Sequence, residues 1–110
     1  MKIERELMRG VGPVAVMRLL ETGEKYGYEL VQALDRQSGG VLAMGQSTLY
    51  PLLYNLEAKG HVASRIETAD SGRDRKYYRL TAAGKKRLEH DRAQWRALSG
   101  AMGKLGLAGG

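Results

Sequence analysis

Two groups of side chains in this sequence are suited to chemistry. Gln46, Ser47, Thr48, Tyr50 and Tyr54 gather amides and hydroxyls in one short stretch, and Arg73, Arg75 and Lys76 set cations on both sides of Asp74. Amides and hydroxyls can read base edges or bond phosphate oxygens, and cations neutralise phosphates. The chemistry on offer is therefore recognition of a polyanion. Covalent chemistry has no comparable support. Cysteine is absent, which excludes thiolate zinc sites and cysteine nucleophiles. His61 and His90 stand far apart without a set of carboxylate partners, and neither Ser47 nor Ser64 has a base and an acid arranged for nucleophilic attack. Gly72 lacks the glycine-rich strand-to-helix surroundings of a phosphate loop and reads as a turn residue. The expectation is no catalytic residue, no metal, no cofactor and no enzyme.

Charge agrees with that chemistry. The 110 residues hold 18 Lys and Arg against 12 Asp and Glu, a net charge of +6. Up to Gly60 the two signs balance, so the whole excess falls in the second half. A basic half suggests nucleic acid or an anionic membrane surface, and a solvated charged face is the bland alternative. No stretch approaches the roughly 18 apolar residues of a membrane span, and the start has no apolar signal region. A soluble protein of the cytoplasm, without membrane contact, is expected. At 43% hydrophobic residues the chain can bury a core of its own.

Hydrophobic spacing shows which elements must carry these groups. Leu7, Val11, Val14, Ala15, Leu19 and Leu20 recur at helical steps, with Gly10, Gly12 and Pro13 among them. A short N-terminal helix or turn, then a helix restarting near Pro13, is predicted. Leu30, Val31 and Leu34 mark a second helix over about Tyr26–Gln37, stopped by Ser38-Gly39-Gly40. A third runs from Gln46 or Ser47, with Ser47 as N-cap, to Lys59, with Leu49, Leu52, Leu53 and Leu56 inward. Tyr28, Leu49, Leu53 and Leu56 are assigned to the core. After Gly60 the period changes to alternation. Val62, Ser64 and Ile66 share one side, Asp70-Ser-Gly-Arg-Asp makes a turn, and Tyr78 and Leu80 belong to a returning strand. Thr81 caps a last helix reaching towards Leu105.

The fold class that follows is mainly α with a small β-hairpin: a winged helix-turn-helix plus a C-terminal dimerisation helix. Residues 1–80 form the DNA-binding domain, 81–105 the dimerisation helix and 106–110 a flexible tail. In such a fold the third helix enters the major groove and the hairpin lies beside it on the backbone.

Three motifs at this order and spacing resemble the PadR family of bacterial transcriptional regulators. They are Tyr26-Gly-Tyr-Glu-Leu, Thr48-Leu-Tyr-Pro-Leu-Leu-Tyr-Asn-Leu-Glu-Ala-Lys-Gly, and Gly72-Arg-Asp-Arg-Lys-Tyr-Tyr-Arg-Leu-Thr-Ala-Ala-Gly. The single last helix resembles the short-tailed branch of the family. The resemblance implies a dimeric repressor whose last helix supplies much of the dimer contact, often tuned by a small molecule. The sequence departs from the family at Gly12-Pro13, where relatives usually have an uninterrupted apolar run.

Tyr26, Gln46, Ser47, Thr48, Tyr50, Tyr54, Arg73, Arg75 and Lys76 are the expected contacts to double-stranded DNA. The third helix has no Lys or Arg before Lys59, so base preference is assigned to Gln46 and Tyr50. Leu88, Trp95, Leu98, Met102 and Leu105 follow the three-and-four spacing of a helix seam, interrupted by Asp91, and predict a homodimer. Trp95 reads first as a packing anchor. The resemblance adds a second role, since some relatives use a tryptophan at the matching position to sandwich a flat aromatic effector between subunits. The alternative function is a winged-helix protein-interaction module that does not bind DNA.

Overall fold

The computed structural model describes residues 1–107. In chain order the elements are α1 (Arg5–Leu20), β1 (Lys25–Tyr26), α2 (Gly27–Gln37), α3 (Gln46–Ala58), β2 (Val62–Thr68), β3 (Asp74–Leu80) and α4 (Ala82–Lys104). The three strands form one antiparallel sheet in the order β1-β3-β2. This is the winged helix-turn-helix arrangement, with β2 and β3 as the wing.

The first helix corrects the expected break at Gly12-Pro13: α1 runs through both residues. A proline inside a helix removes one amide donor and normally forces the preceding residue out of the helical region, through a clash with that residue's β-carbon. Here the preceding residue is glycine, which has no β-carbon. The same absence lets α1 close on α3, because a β-carbon on Gly12 would stand 2.9 Å from Leu52 Cδ1. Burial of Val16, Met17, Leu19 and Leu20 beyond the proline holds the second half of the helix on the core.

Leu30 and Leu34 of α2, Leu49, Leu53 and Leu56 of α3, and Val62, Tyr78 and Leu80 of the sheet complete that core with Met8 and Met44. Each of the fully buried leucines is worth about 1.5–3 kcal/mol relative to exposure. Tyr28 is a correction: it is 48% exposed and not in the core. It lies in the first turn of α2, two residues after the strand-paired Tyr26, and its ring stacks on the Tyr26 ring at 6.4 Å. β1 was not foreseen either. Two residues are too short for a periodic signal, and their pairing with Tyr77 and Tyr78 is a long-range event.

The wing ladder runs from Val62–Leu80 to Thr68–Asp74. Its turn is closed by Ala69 N–H donating to Arg73 O at 2.8 Å, and Gly72 there has φ +83°. Alternation places Val62, Ser64 and Ile66 on the face towards α3, where Ser64 Oγ donates to the Glu57 carboxylate. Ile66 lies farther out along the hairpin and is exposed.

Thr81 caps α4 as expected, its Oγ1 accepting from Gly84 N at 3.0 Å. The first turn of α4 sits directly on the entry to β2, so close that a β-carbon on Gly84 would lie 2.0 Å from His61 O. Leu88 corrects the predicted seam. It is 1% exposed, one of the protomer's own core residues, because α4 is still against the body at that point. Past Leu88 no residue of α4 is buried. The 23-residue helix, about 34 Å long, therefore projects from the body. Of the predicted tail, Gly106 and Leu107 close α4, donating to Gly103 O and Met102 O at 2.9 Å each. Residues 108–110 lie outside the described part. No described helix is long and apolar enough to cross a membrane.

Candidate nucleic-acid interface

The start of α2, the start of α3 and the wing tip border one open groove of about 470 Å³. Tyr26, Gln46, Tyr50, Arg73, Arg75 and Lys76, all predicted from sequence, line it, together with Gly27, Tyr28 and Asp74. Ser47, Thr48 and Tyr54 lie outside the groove and are exposed on α3.

The first turn of α3 corrects one detail. Gly45, not Ser47, is the N-cap, and no side chain caps the helix. Thr48 and Leu49 N–H both donate to Gly45 O, at 3.1 and 3.0 Å. A helix start without a side-chain cap carries partial positive charge and presents its first amides outward, which suits a phosphate oxygen. Gln46, Ser47 and Thr48 surround that end with exposed polar side chains. At the neighbouring start of α2, Glu29 reaches back and accepts from Tyr26 N–H at 3.0 Å.

Tyr50 is positioned by contact with Gly27. A β-carbon at residue 27 would fall 2.6 Å from the Tyr50 hydroxyl oxygen, so only glycine leaves room for the ring. Tyr50 remains 43% exposed there.

The wing cations diverge, since Arg75 and Lys76 are successive residues of β3 and point to opposite faces of the hairpin. Lys76 faces α3, 3.6 Å from Glu57 Oε1 and 5.5 Å above the Tyr78 ring. Burial pushes the Tyr78 hydroxyl above its ordinary pKa. Arg75 faces the opposite side and lies 4.9 Å over the Tyr26 ring. Among the described residues, Arg73 and Arg75 have no carboxylate within ion-pair distance. They are the cations best placed to meet a phosphate. Among those residues, too, no three His, Asp or Glu side chains group as a metal site.

Sequence reasoning missed the outer face of the sheet. Tyr26, Tyr77 and Arg65 are directly opposed across β1, β3 and β2. The Tyr26 and Tyr77 rings meet edge-on at 5.5 Å, and the Arg65 guanidinium lies 4.8 Å over Tyr77. Glu24 binds the Arg65 fork through both carboxylate oxygens. That hydrogen bonding holds the Glu24 carboxylate below its ordinary pKa of 4.5. Alternation placed Arg65 opposite the Val62 face, but Glu24 and Tyr26 join that face only through the unforeseen β1.

On α4, Trp95 (48% exposed), Leu98 (50%) and Leu105 (74%) form an apolar stripe with the half-buried Met102. Trp95 also borders an apolar hollow of about 350 Å³ between α1, α2 and α4, with Arg18 and Arg92 among its lining.

Residues 16–90 match the transcriptional regulator PadR-like family. The chain belongs to that family. A transcriptional regulator of Mycobacterium tuberculosis is 36% identical over 88 residues, 80% of this chain and 78% of that protein. A PadR family transcriptional regulator from Eggerthella lenta has a similar structure, with TM-score 0.80 and 38% identity over 91% of this chain and 85% of that one. The negative transcriptional regulator PadR of Bacillus subtilis is 31% identical over 77 residues, 70% of this chain and 42% of that protein. Its structure in complex with operator DNA superposes with TM-score 0.69 at 30% identity, over 76% of this chain and 46% of that chain. This PadR-like protein is thus a transcriptional regulator, and the residues of its groove fall within the stretch 16–90 that matches the family.

Proposed function

We propose that this PadR-like protein is a homodimeric repressor that binds double-stranded DNA and is released by a small-molecule effector. The observation that carries the reading is the convergence of two helix starts and the wing arginines on one groove. Phosphates meet α3's uncapped start, Arg73 and Arg75, while Gln46 and Tyr50 face base edges. Residues 1–80 act as the DNA-binding unit. Residues 81–105 act as the dimerisation helix, whose exposed stripe of Trp95, Leu98, Met102 and Leu105 needs a cover that this small body does not supply. A two-fold pair would offer recognition helices to successive turns of DNA, about 34–36 Å apart. The negative regulation and operator complex of the Bacillus subtilis relative support the repressor reading.

Trp95, between the stripe and the apolar hollow, is the effector residue of this scheme. Gel shift against the DNA upstream of the gene tests the function, with affinity expected to fall steeply as salt rises. A protein that binds no fragment in a genomic selection would overturn it. Sedimentation at micromolar concentration should show a dimer. Quenching of Trp95, the sole tryptophan, by planar aromatics that also release DNA tests the effector.

A further inference from the structure

Arg75 and Glu67 are directly opposed in the wing ladder. A cation and a carboxylate so placed ordinarily pair, since opposed side chains stand about 4.5–5.5 Å apart at their β-carbons. Here they do not. The Glu67 carboxylate is taken by Arg65, two residues back on its own strand, at 3.1 Å. Arg75 instead lies on the Tyr26 ring, with no carboxylate of the described residues within ion-pair distance.

Arg65 can do this because it is itself held. One side of its fork binds Glu24 and the other reaches Glu67, while its plane covers Tyr77. Glu24 is well anchored, because its neighbour Lys25 ties down the turn after α1. The Lys25 ammonium donates to Leu19 O at 3.0 Å, Thr22 Oγ1 at 2.9 Å and Gly23 O at 3.3 Å. An isolated exposed ion pair is worth little, but a forked arginine held by two carboxylates over a ring keeps one geometry.

We infer that Arg65 is a positioning residue for DNA binding: it sequesters Glu67 so that the Arg75 guanidinium stays unneutralised and available to a backbone phosphate. Without Arg65, the Glu67 carboxylate turns to the opposed Arg75 and occupies it as an internal competitor of DNA. The inference rests on the reading of the wing as a DNA contact, and the variants below separate the two.

The test measures binding to a fluorescein-labelled DNA duplex by anisotropy across a salt series. Arg75→Ala should weaken binding several-fold and flatten the salt slope by about one phosphate contact, roughly 0.9 in the log–log plot. Arg65→Ala should do the same. Adding Glu67→Gln to Arg65→Ala should restore affinity and slope. Adding Glu24→Gln should not, although it restores the same net charge, because Glu24 does not oppose Arg75. Equal rescue by both would mean that only net charge matters and would overturn the inference. A wild-type affinity for Arg65→Ala, with Arg75→Ala weakened, would overturn it and leave the wing reading standing. A wild-type affinity for Arg75→Ala would overturn both. Arg65→Gln, which keeps part of the stem on Tyr77, gives the same readout if the alanine variant does not fold.

Discussion

Tyr50 lies against Gly27 with no space for a β-carbon between them, the hydroxyl oxygen falling 2.6 Å from where that carbon would be. The blocking atoms are the far end of one side chain, so the ring can swing aside at small cost. Gly27→Ala should therefore leave the melting temperature close to wild type while displacing Tyr50 from the groove. DNA affinity should fall, with altered ranking of operator variants. A change in ranking equal to that of Tyr50→Ala, measured by anisotropy on a panel of duplexes, is the expected result.

Gly84 presents the opposite case. The atom its β-carbon would strike, at 2.0 Å, is the backbone oxygen of His61. That oxygen also accepts from Thr81 N–H at 3.1 Å, so it cannot move without loosening the junction of β2, β3 and α4. Gly84→Ala should cost about 1–3 kcal/mol, the usual range for an overpacked site. Chemical denaturation would show it as a lowered midpoint, and an unchanged midpoint would contradict the packing described.

The wing cations should not be equivalent. Lys76 is engaged by Glu57 and the Tyr78 ring, whereas Arg73 and Arg75 lack carboxylate partners among the described residues. Arg73→Ala and Arg75→Ala should each reduce the salt slope of DNA binding by about 1, and Lys76→Ala by clearly less. Equal slopes for all three would show that Lys76 leaves Glu57 when DNA binds.

Acid should loosen the outer face of the sheet through Glu24. Its carboxylate is held by Arg65 below the ordinary value of 4.5. A depressed carboxylate pKa contributes stability that is fully present above the unfolded value and is lost as pH falls through the folded one. The Arg65 contact should thus persist through neutral and mildly acidic pH and fail only below 4.5. Carboxyl-resolved NMR titration should find Glu24 titrating below its ordinary value of 4.5. Arg65→Ala should raise it.

Local pattern alone determined much of this protein. Leu30 and Leu34, then Leu49, Leu53 and Leu56, recur at helical spacing, because one buried face imposes its period on the sequence, and Val62 to Ile66 alternate as a strand requires. Thr81 announced the start of α4 by a cap that acts within one turn. The residues of the groove were legible as well, since polar groups at a helix start and cations on a turn are near neighbours along the chain. The rest depended on contacts between distant segments. Pro13 stays helical where Gly12 packs on Leu52 and Val16, Met17 and Leu20 beyond it are buried. Leu88 and Leu98 share one spacing series, yet the first is core and the second exposed, because the body ends between them. Likewise Lys25 and Tyr26 become a strand only when β3 arrives beside them. With that strand comes Arg75 over Tyr26. Sequence period reports which face an element buries; which residue of another element meets that face is decided only by how the elements pack.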